Sequence, residues 1–263
     1  MKAMFRTFEI SEGRHEHAGL RWVTVKSESL RGRGDITLWV PPGGGAAGMV
    51  VLLHGVYGSH WAWAMKGGAH RTAERLVAAG DIPPLVLAMP SDGLWGDGSG
   101  YRAHGGRDFE RWIVEEVPAA VERAVPGLGV GTPRFVAGLS MGGYGALRLA
   151  CRHSAAFAAA SGHSSITRFE QMAAFVEEPL AAYADPAGEP DVVDEALAHS
   201  DRLPRLRFDC GTEDPLIEPN RTLHLQLEAA GIRHEYREFP GGHEWPYWEK
   251  HLEDSLRFFA ACG

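Results

Sequence analysis

The chain has 263 residues, of which 44% are hydrophobic, 23% are charged and 33 are glycine. This balance is typical of a globular protein with a large core, and the length suits a single α/β domain. It excludes disordered, collagen-like and coiled-coil proteins. The 26 basic and 34 acidic residues give a net charge of −8 with no basic block. This charge argues against binding to nucleic acid or to an anionic membrane and favours a small-molecule partner.

The ends and the cysteines suggest where the protein works. Residues 1–9 contain no apolar segment of the kind found in secretory signals, and no stretch approaches the ~20 apolar residues of a membrane span. We therefore expect a cytoplasmic protein. Cys151, Cys210 and Cys262 are widely spaced and form no C-x-x-C pair, which predicts neither a disulfide framework nor a zinc site. Nothing in the sequence indicates a homo-oligomer.

Strand patterns change along the chain. Residues 22–25 and 36–40 alternate apolar and polar side chains, which indicates an antiparallel lead-in. The apolar runs at 49–53, 85–89 and 135–137 are continuous, as in strands buried on both faces of a parallel sheet. Further strands are predicted at residues 157–161, 206–210 and 236–239.

Helices are predicted among these strands, at residues 68–79, 108–125, 142–153, 219–230 and 246–260. The resulting alternation of strands and helices predicts one α/β domain over residues 1–263. Its central sheet is expected to be mostly parallel, with helices on both faces.

Residues 163–203 interrupt the alternation between two predicted strands. An insertion of this length is expected to form a helical cap over the active edge of the sheet. Its apolar residues Phe169, Met172, Phe175 and Leu180 would then face the substrate pocket. The alternative is that these residues pack on the flank of the sheet as ordinary structure.

The strongest chemical signal is a G-x-S-x-G motif, Gly138 to Gly142, between a buried strand and a helix rich in alanine and leucine. At such a turn the serine is held in a strained conformation with its hydroxyl exposed, and the glycines let neighbouring backbone pass close by. Ser140 is therefore the predicted nucleophile.

A serine nucleophile needs a histidine base oriented by a carboxylate. Asp214 follows a predicted strand within Gly-Thr-Glu-Asp-Pro, and His243 follows the last predicted strand after Gly-Gly. Both are expected at the carboxyl edge of the sheet, where open α/β sheets bind ligands. Glu213, one residue from Asp214, is the alternative acid.

An oxyanion formed on the substrate needs two backbone N–H donors. Met141 follows the nucleophile and supplies one. Val56, in the glycine-flanked loop after the 49–53 strand, is expected to supply the other, with Tyr57 as the neighbouring alternative. The side chain of His54 in that loop is interpreted as structural.

These motifs resemble α/β-hydrolases of the esterase D family, which includes S-formylglutathione hydrolases, feruloyl and acetyl-xylan esterases and mycolyltransferases. The matching stretches are residues 40–42 (VPP), 53–55 (LHG), 138–143 (GLSMGG), 211–216 (GTEDPL) and 242–248 (GHEWPYW). The resemblance implies the α/β-hydrolase fold, a Ser140–His243–Asp214 triad, an oxyanion donor at Val56 and carboxylic ester hydrolysis through an acyl-enzyme. His54 stands where S-formylglutathione hydrolases carry serine, so their substrate is not implied.

Candidate pocket residues are mostly aromatic. Tyr57, Trp61, Trp63, His163 and Trp245 fall after strands or beside the triad and are expected to bind substrate. No cofactor and no metal are predicted, because the histidines lack metal-ligand spacing. The sequence therefore predicts a serine esterase acting on small acyl or aryl esters, with an acyltransferase or a non-catalytic ligand-binding protein as alternatives.

Overall fold

A computed structural model describes residues 4–129, 131–183 and 191–262. The strands are β1 (Phe8–Ile10), β2 (Leu20–Ser27), β3 (Gly32–Trp39), β4 (Gly48–Leu53), β5 (Leu85–Pro90), β6 (Ala103–His104), β7 (Arg107–Asp108), β8 (Arg134–Leu139), β9 (Ala159–His163), β10 (Arg205–Gly211) and β11 (His234–Phe239). The α-helices are α1 (Ala62–Met65), α2 (Ala69–Ala79), α3 (Phe109–Arg111), α4 (Val117–Ala124), α5 (Met141–Arg152), α6 (Val192–Ala198), α7 (Ile217–Ala229) and α8 (Trp245–Ala260). A π-helical turn, Trp112–Glu116, joins α3 to α4, and the 3-10 helices are Gly13–His15, Phe169–Ala174 and Leu180–Tyr183.

Within the described residues, nine strands form one sheet in the order β1-β2-β3-β5-β4-β8-β9-β10-β11. The pairs from β1 to β5 along this order are antiparallel, and those from β5 to β11 are parallel. The chain leaves β4 toward β5 on one side and returns to β8 on the other. Loops leaving β4 and β8 therefore diverge, and they open a crevice at the carboxyl ends of the strands.

Apolar side chains on the two faces of the sheet belong to separate core clusters. Along β4, Met49 and Val51 belong to one cluster and Val50 and Leu52 to the other, as the alternation of side chains in a strand requires. Helices α4 and α5 contribute to the first cluster and α2 and α8 to the second. Both faces are thus covered, which explains why β4 and β5 are apolar at every position.

The fold class predicted from the sequence is confirmed: the sheet is mostly parallel, with helices on both faces. The predicted strands and helices are present, with differences at their ends. The predicted helix at 108–125 contains the π-helical turn, and the predicted strand at 157–161 runs instead from Ala159 to His163. Strand β1 and the β6-β7 hairpin, both short, were not predicted.

None of the helices in the described ranges is both long and apolar enough to cross a membrane.

Candidate active site

Ser140 stands at a sharp turn between β8 and α5. Its backbone has φ 54° and ψ −119°, a conformation that costs a non-glycine residue ~1–3 kcal/mol. A Cβ atom at Gly138 would lie 2.1 Å from the Gly142 carbonyl oxygen, and one at Gly142 would lie 2.3 Å from the Leu53 carbonyl oxygen. The Ser140 N–H donates to the His163 carbonyl at 2.9 Å. Close backbone crossing and this hydrogen bond hold the strained turn in place.

Ser140, His243 and Asp214 form one chain of hydrogen bonds. His243 Nε2 lies 3.1 Å from Ser140 Oγ, and its Nδ1 lies 2.9 Å from Asp214 Oδ2. The carboxylate accepts a hydrogen bond from Nδ1–H, which leaves Nε2 free to accept the serine proton. Glu213 is exposed and makes no hydrogen bond or ion pair with His243 within the described part of the chain. The geometry therefore selects Asp214 over Glu213.

Asp214 is buried, and it stays ionised. Burial raises the pKa of this carboxyl, but the hydrogen bond and the charge of His243, together with the Leu216 N–H, outweigh burial and bring the pKa below its ordinary value. The Leu216 N–H donates to Asp214 Oδ1 at 2.8 Å. The acid is thus held both in its orientation and in its charged form.

The loop after β4 presents one of the two expected oxyanion donors. His54 Nδ1–H donates to the Gly55 carbonyl at 2.7 Å, while its Nε2 accepts from the Asp92 N–H at 3.1 Å. Because N–H and C=O of a trans peptide point in opposite directions, this bond turns the Val56 N–H away from His54. The Tyr57 N–H donates to the Asp97 carbonyl at 2.8 Å, so Tyr57 is not available as the donor.

The N–H groups of Val56 and Met141 have no acceptor within residues 4–129, 131–183 and 191–262. Val56 lines the same cavity as Ser140, and Met141 is the first residue of the helix that follows Ser140. Unpaired N–H groups at the start of a helix attract negative charge. Both groups are therefore free to donate to an oxyanion.

A cavity of about 210 Å³ opens beside Ser140 and His243. Its other lining residues are mostly aromatic or aliphatic: His54, Gly55, Val56, Tyr57, Gly58, Trp61, Ala62, Lys66, Leu139, Phe175, Trp245 and Trp248. Three of the predicted substrate-binding residues, Tyr57, Trp61 and Trp245, thus lie in its wall. A larger, shallow cleft of about 730 Å³ lies at the amino ends of β10 and β11, the end of the sheet opposite to Ser140.

The prediction that Trp63 lines the pocket is wrong. Trp63 is 1% exposed and donates from Nε1 to the Leu53 carbonyl at 2.9 Å. Residues two apart on a helical turn point in different directions. Trp61 therefore reaches the cavity, whereas Trp63 packs edge to face against Trp245, with ring centroids 5.7 Å apart.

The prediction that His163 lines the pocket is also wrong. Strand β9 ends two residues later than predicted, so the His163 side chain is fully buried on the same face of the sheet as Ser161, beneath α8. Its Nδ1 lies 3.0 Å from Asp209 Oδ2, and its Nε2 lies 2.9 Å from Ser255 Oγ. His163 thus belongs to a buried polar cluster.

This cluster consists of Ser161, His163, Arg207, Asp209, Tyr247 and Ser255. At its centre is the fully buried Asp209, whose pKa burial alone would raise; the charges and hydrogen bonds of His163 and Arg207 lower it to about 2. Tyr247 OH donates to Asp209 Oδ1 at 2.9 Å. The cluster was not predicted, although charged residues at positions 207 and 209 on one face of a buried strand are a signal of such pairing.

Of the four apolar residues in the 163–203 insertion, Phe175 alone lines the cavity. Its ring stacks on the His243 ring with centroids 5.5 Å apart. Phe169 and Met172 are buried in the core, and Leu180 packs against that core, so the prediction that all four face the pocket is wrong. The 3-10 helix Phe169–Ala174 turns the Phe169 and Met172 side chains inward, and Phe175, just after its end, stacks on His243.

No group of three or more histidine, cysteine, aspartate or glutamate side chains is placed to hold a metal ion in the parts of the chain that the structure describes. The three cysteines are unpaired: Cys151 and Cys210 are buried and Cys262 is partly buried.

A family model described as "Putative esterase" matches residues 27–259. The chain belongs to this esterase family. The resemblance seen in the sequence motifs is thereby confirmed, and membership makes the protein a hydrolase of ester bonds. An acetyl esterase of Caldicellulosiruptor saccharolyticus is 25% identical over 80% of this chain and 82% of its own length.

Solved structures of similar fold support the α/β-hydrolase assignment. A ferulic acid esterase superimposes with a TM-score of 0.75 and 23% identity, covering 98% of this chain and 100% of its own. An S-formylglutathione hydrolase from Agrobacterium tumefaciens gives a TM-score of 0.78 and 19% identity, covering 98% and 99%. At these low sequence identities, the structural similarity shows only that this chain has the same fold.

Tyr247 lies four residues after His243, so its bond to Asp209 ties the start of α8 to the sheet. We expect Tyr247→Phe to lower the free energy of unfolding of the esterase by about 2 kcal/mol, because a buried carboxylate loses a donor. The same change should lower kcat several-fold with little change in KM, because His243 is less firmly held. Urea denaturation and steady-state kinetics measure both effects.

Tyr236→Phe is the matched control. Tyr236 OH donates to the partly exposed Glu238 at 3.0 Å, on β11, so its loss should change stability by less than about 1 kcal/mol and leave kcat unchanged. Equal kcat in the two variants would contradict a role of the Tyr247 hydroxyl in holding His243.

Proposed function

We propose that this chain is a serine carboxylesterase that hydrolyses small acyl esters, aromatic ones among them, through an acyl-enzyme. The observation that carries the proposal is the hydrogen-bonded chain from Ser140 through His243 to Asp214, which opens into the aromatic cavity. Each part of this arrangement corresponds to a step of ester hydrolysis.

In the first step the substrate carbonyl oxygen accepts hydrogen bonds from the N–H groups of Val56 and Met141. Ser140 Oγ attacks the carbonyl carbon, and His243 Nε2 takes the serine proton. The negative charge of Asp214 stabilises the imidazolium that forms. The oxyanion is stabilised by the two N–H groups, each of which is typically worth a factor of ~100–1000 in turnover.

Collapse of this intermediate breaks the bond to the alcohol, which leaves with the proton from His243. A water molecule then attacks the acyl-enzyme while His243 again acts as the base, and the acid is released. The His243 side chain is 20% exposed, so water has access to it. This exposure favours hydrolysis over transfer of the acyl group to another alcohol.

The nucleophile is tested by Ser140→Ala. We expect hydrolysis of p-nitrophenyl acetate to fall by a factor of ~10⁴ or more, and labelling by a fluorophosphonate probe to be lost. Ser255→Ala is the matched control, because Ser255 also contacts a histidine paired with an aspartate but is fully buried. Ser255→Ala should still be labelled. A folded Ser140→Ala protein with wild-type turnover would disprove the proposal.

The acid is tested by Asp214→Asn. The amide NH2 group can donate a hydrogen bond to Nδ1, which favours the wrong imidazole tautomer, a change that lowers turnover by ~10⁴ in a well-studied triad. Glu213→Gln should change turnover by less than about threefold, because Glu213 is exposed and substitutions at exposed positions usually have small effects. The reverse ranking of the two variants in kcat/KM would assign the acid to Glu213.

The 163–203 insertion is proposed to limit acyl size through Phe175. We expect Phe175→Ala to raise the kcat/KM for octanoyl relative to acetyl esters by at least about fivefold, because a hydrophobic wall is removed. Phe169→Ala should lower stability by about 3–5 kcal/mol by opening a core cavity, without changing the chain-length profile. Identical profiles in both folded variants would leave the insertion without a role in acyl selection.

A further inference from the structure

We propose that the esters hydrolysed at Ser140 carry a carboxylate, and that Lys66 binds it. This inference rests on the proposed function, because it concerns the substrate of the same site. It follows from the charge, the size and the wall chemistry of the cavity.

Lys66 is the cationic residue in the wall of the cavity that contains Ser140 and His243. It follows α1 directly, and its Nζ lies 5.5 Å from the centroid of the Trp245 ring. Within the described residues no carboxylate lies within 4.0 Å of the exposed Lys66 side chain, whereas twelve arginines are in ion pairs. The ammonium is therefore uncompensated in a chain with a net charge of −8.

The cavity wall is acidic on the side of Tyr57. The Tyr57 side chain is 65% exposed there, and a hydrogen bond to Asp97 and the charges of Asp97, Glu177 and Glu178 raise the pKa of Tyr57 to about 12. An anionic group is repelled from this side and attracted to Lys66. These charges thus favour binding of a substrate with its single negative charge toward Lys66.

The size of the cavity limits the rest of the substrate. A cavity of about 150 Å³ is enough to bind benzene, so about 210 Å³ accommodates one six-membered ring with short substituents. The faces of Trp61, Phe175 and Trp245 suit such a ring. A ring that bears both the ester and a carboxylate fills the cavity and places its charge within reach of a flexible lysine in the same wall.

Two pairs of esters test the proposal, each matched in shape and differing in charge. One pair is 4-acetoxybenzoate and 4-acetoxybenzamide, which carry the charged or neutral group on the alcohol side. The other pair is methyl 4-carboxybenzoate and methyl 4-carbamoylbenzoate, which carry it on the acyl side. We expect kcat/KM to be at least about fivefold higher for the carboxylate in one of the two pairs, as for one partly exposed ion pair.

Variants of Lys66 assign the preference to this residue. Lys66→Met should remove the preference, Lys66→Glu should reverse it, and Lys66→Arg should keep most of it, while the amides stay within about twofold of wild type. Salt at about 0.5 M should weaken the preference by screening. Lys26→Met is the control, because Lys26 is an exposed lysine on β2 and should change nothing.

The outcomes separate this inference from the proposed function. If the wild-type protein hydrolyses both members of each pair equally, or if Lys66→Met keeps the preference, the carboxylate assignment is overturned while the esterase mechanism stands. If the wild-type protein hydrolyses none of the four esters and no p-nitrophenyl acetate, or if folded Ser140→Ala hydrolyses them as fast as the wild type does, the proposed mechanism fails as well.

Discussion

The site depends on a close crossing of backbone at the end of β8. Ser140 keeps a positive φ because two glycines allow the turn to pass within van der Waals reach of the end of β4. The same crossing sets the start of α5 beside the loop that contains Val56. One steric constraint therefore places the serine hydroxyl and the first N–H group of α5 beside the loop that contains Val56.

A second constraint acts from below the site. Asp209 lies in β10, which leads to Asp214, and it accepts hydrogen bonds from His163 in β9 and from Tyr247 in α8. The His163 carbonyl in turn accepts the Ser140 N–H. The elements that carry the serine, the aspartate and the histidine are thus joined through one buried carboxylate. Buried ionic clusters of this kind are costly to desolvate unless fully paired, and here Asp209 has three partners.

The parts of the site that could be predicted from sequence are those fixed by backbone rules. Continuous apolar runs marked the parallel strands, and glycine spacing around Ser140 marked the turn, because both follow from burial and sterics over neighbouring residues. The direction of individual side chains was harder to predict from the sequence. Trp61 and Trp63 differ by two residues and have opposite environments, and a shift of strand end by two residues moved His163 from the pocket into the core.

Lys66 was not predicted to line the cavity, and Phe175 was one of four apolar candidates of which the other three do not line it; both positions depend on tertiary packing. The side chains of Lys66 and Phe175 reach the cavity from a single helical turn and from the end of a 3-10 helix, and neither element has enough length for a periodic pattern. Their position relative to Ser140 is set by contacts with Trp245 and His243, which lie some 70 to 180 residues away in sequence. A local sequence pattern carries no information on contacts between residues so far apart in the sequence.

The described residues contain two Ser–His–Asp arrangements with nearly the same distances, and their comparison separates geometry from chemistry. The two sets are Ser140–His243–Asp214 and Ser255–His163–Asp209. Serine to histidine is 3.1 Å in the first and 2.9 Å in the second, and histidine to carboxylate is 2.9 and 3.0 Å. The second set is sealed beneath α8, its serine lies within a regular helix, and an arginine also pairs with its carboxylate. What distinguishes the first set is access to a cavity and two unpaired N–H groups beside a serine in a strained turn. Those features, rather than the hydrogen-bonded triad alone, are the basis for assigning the chemistry to Ser140.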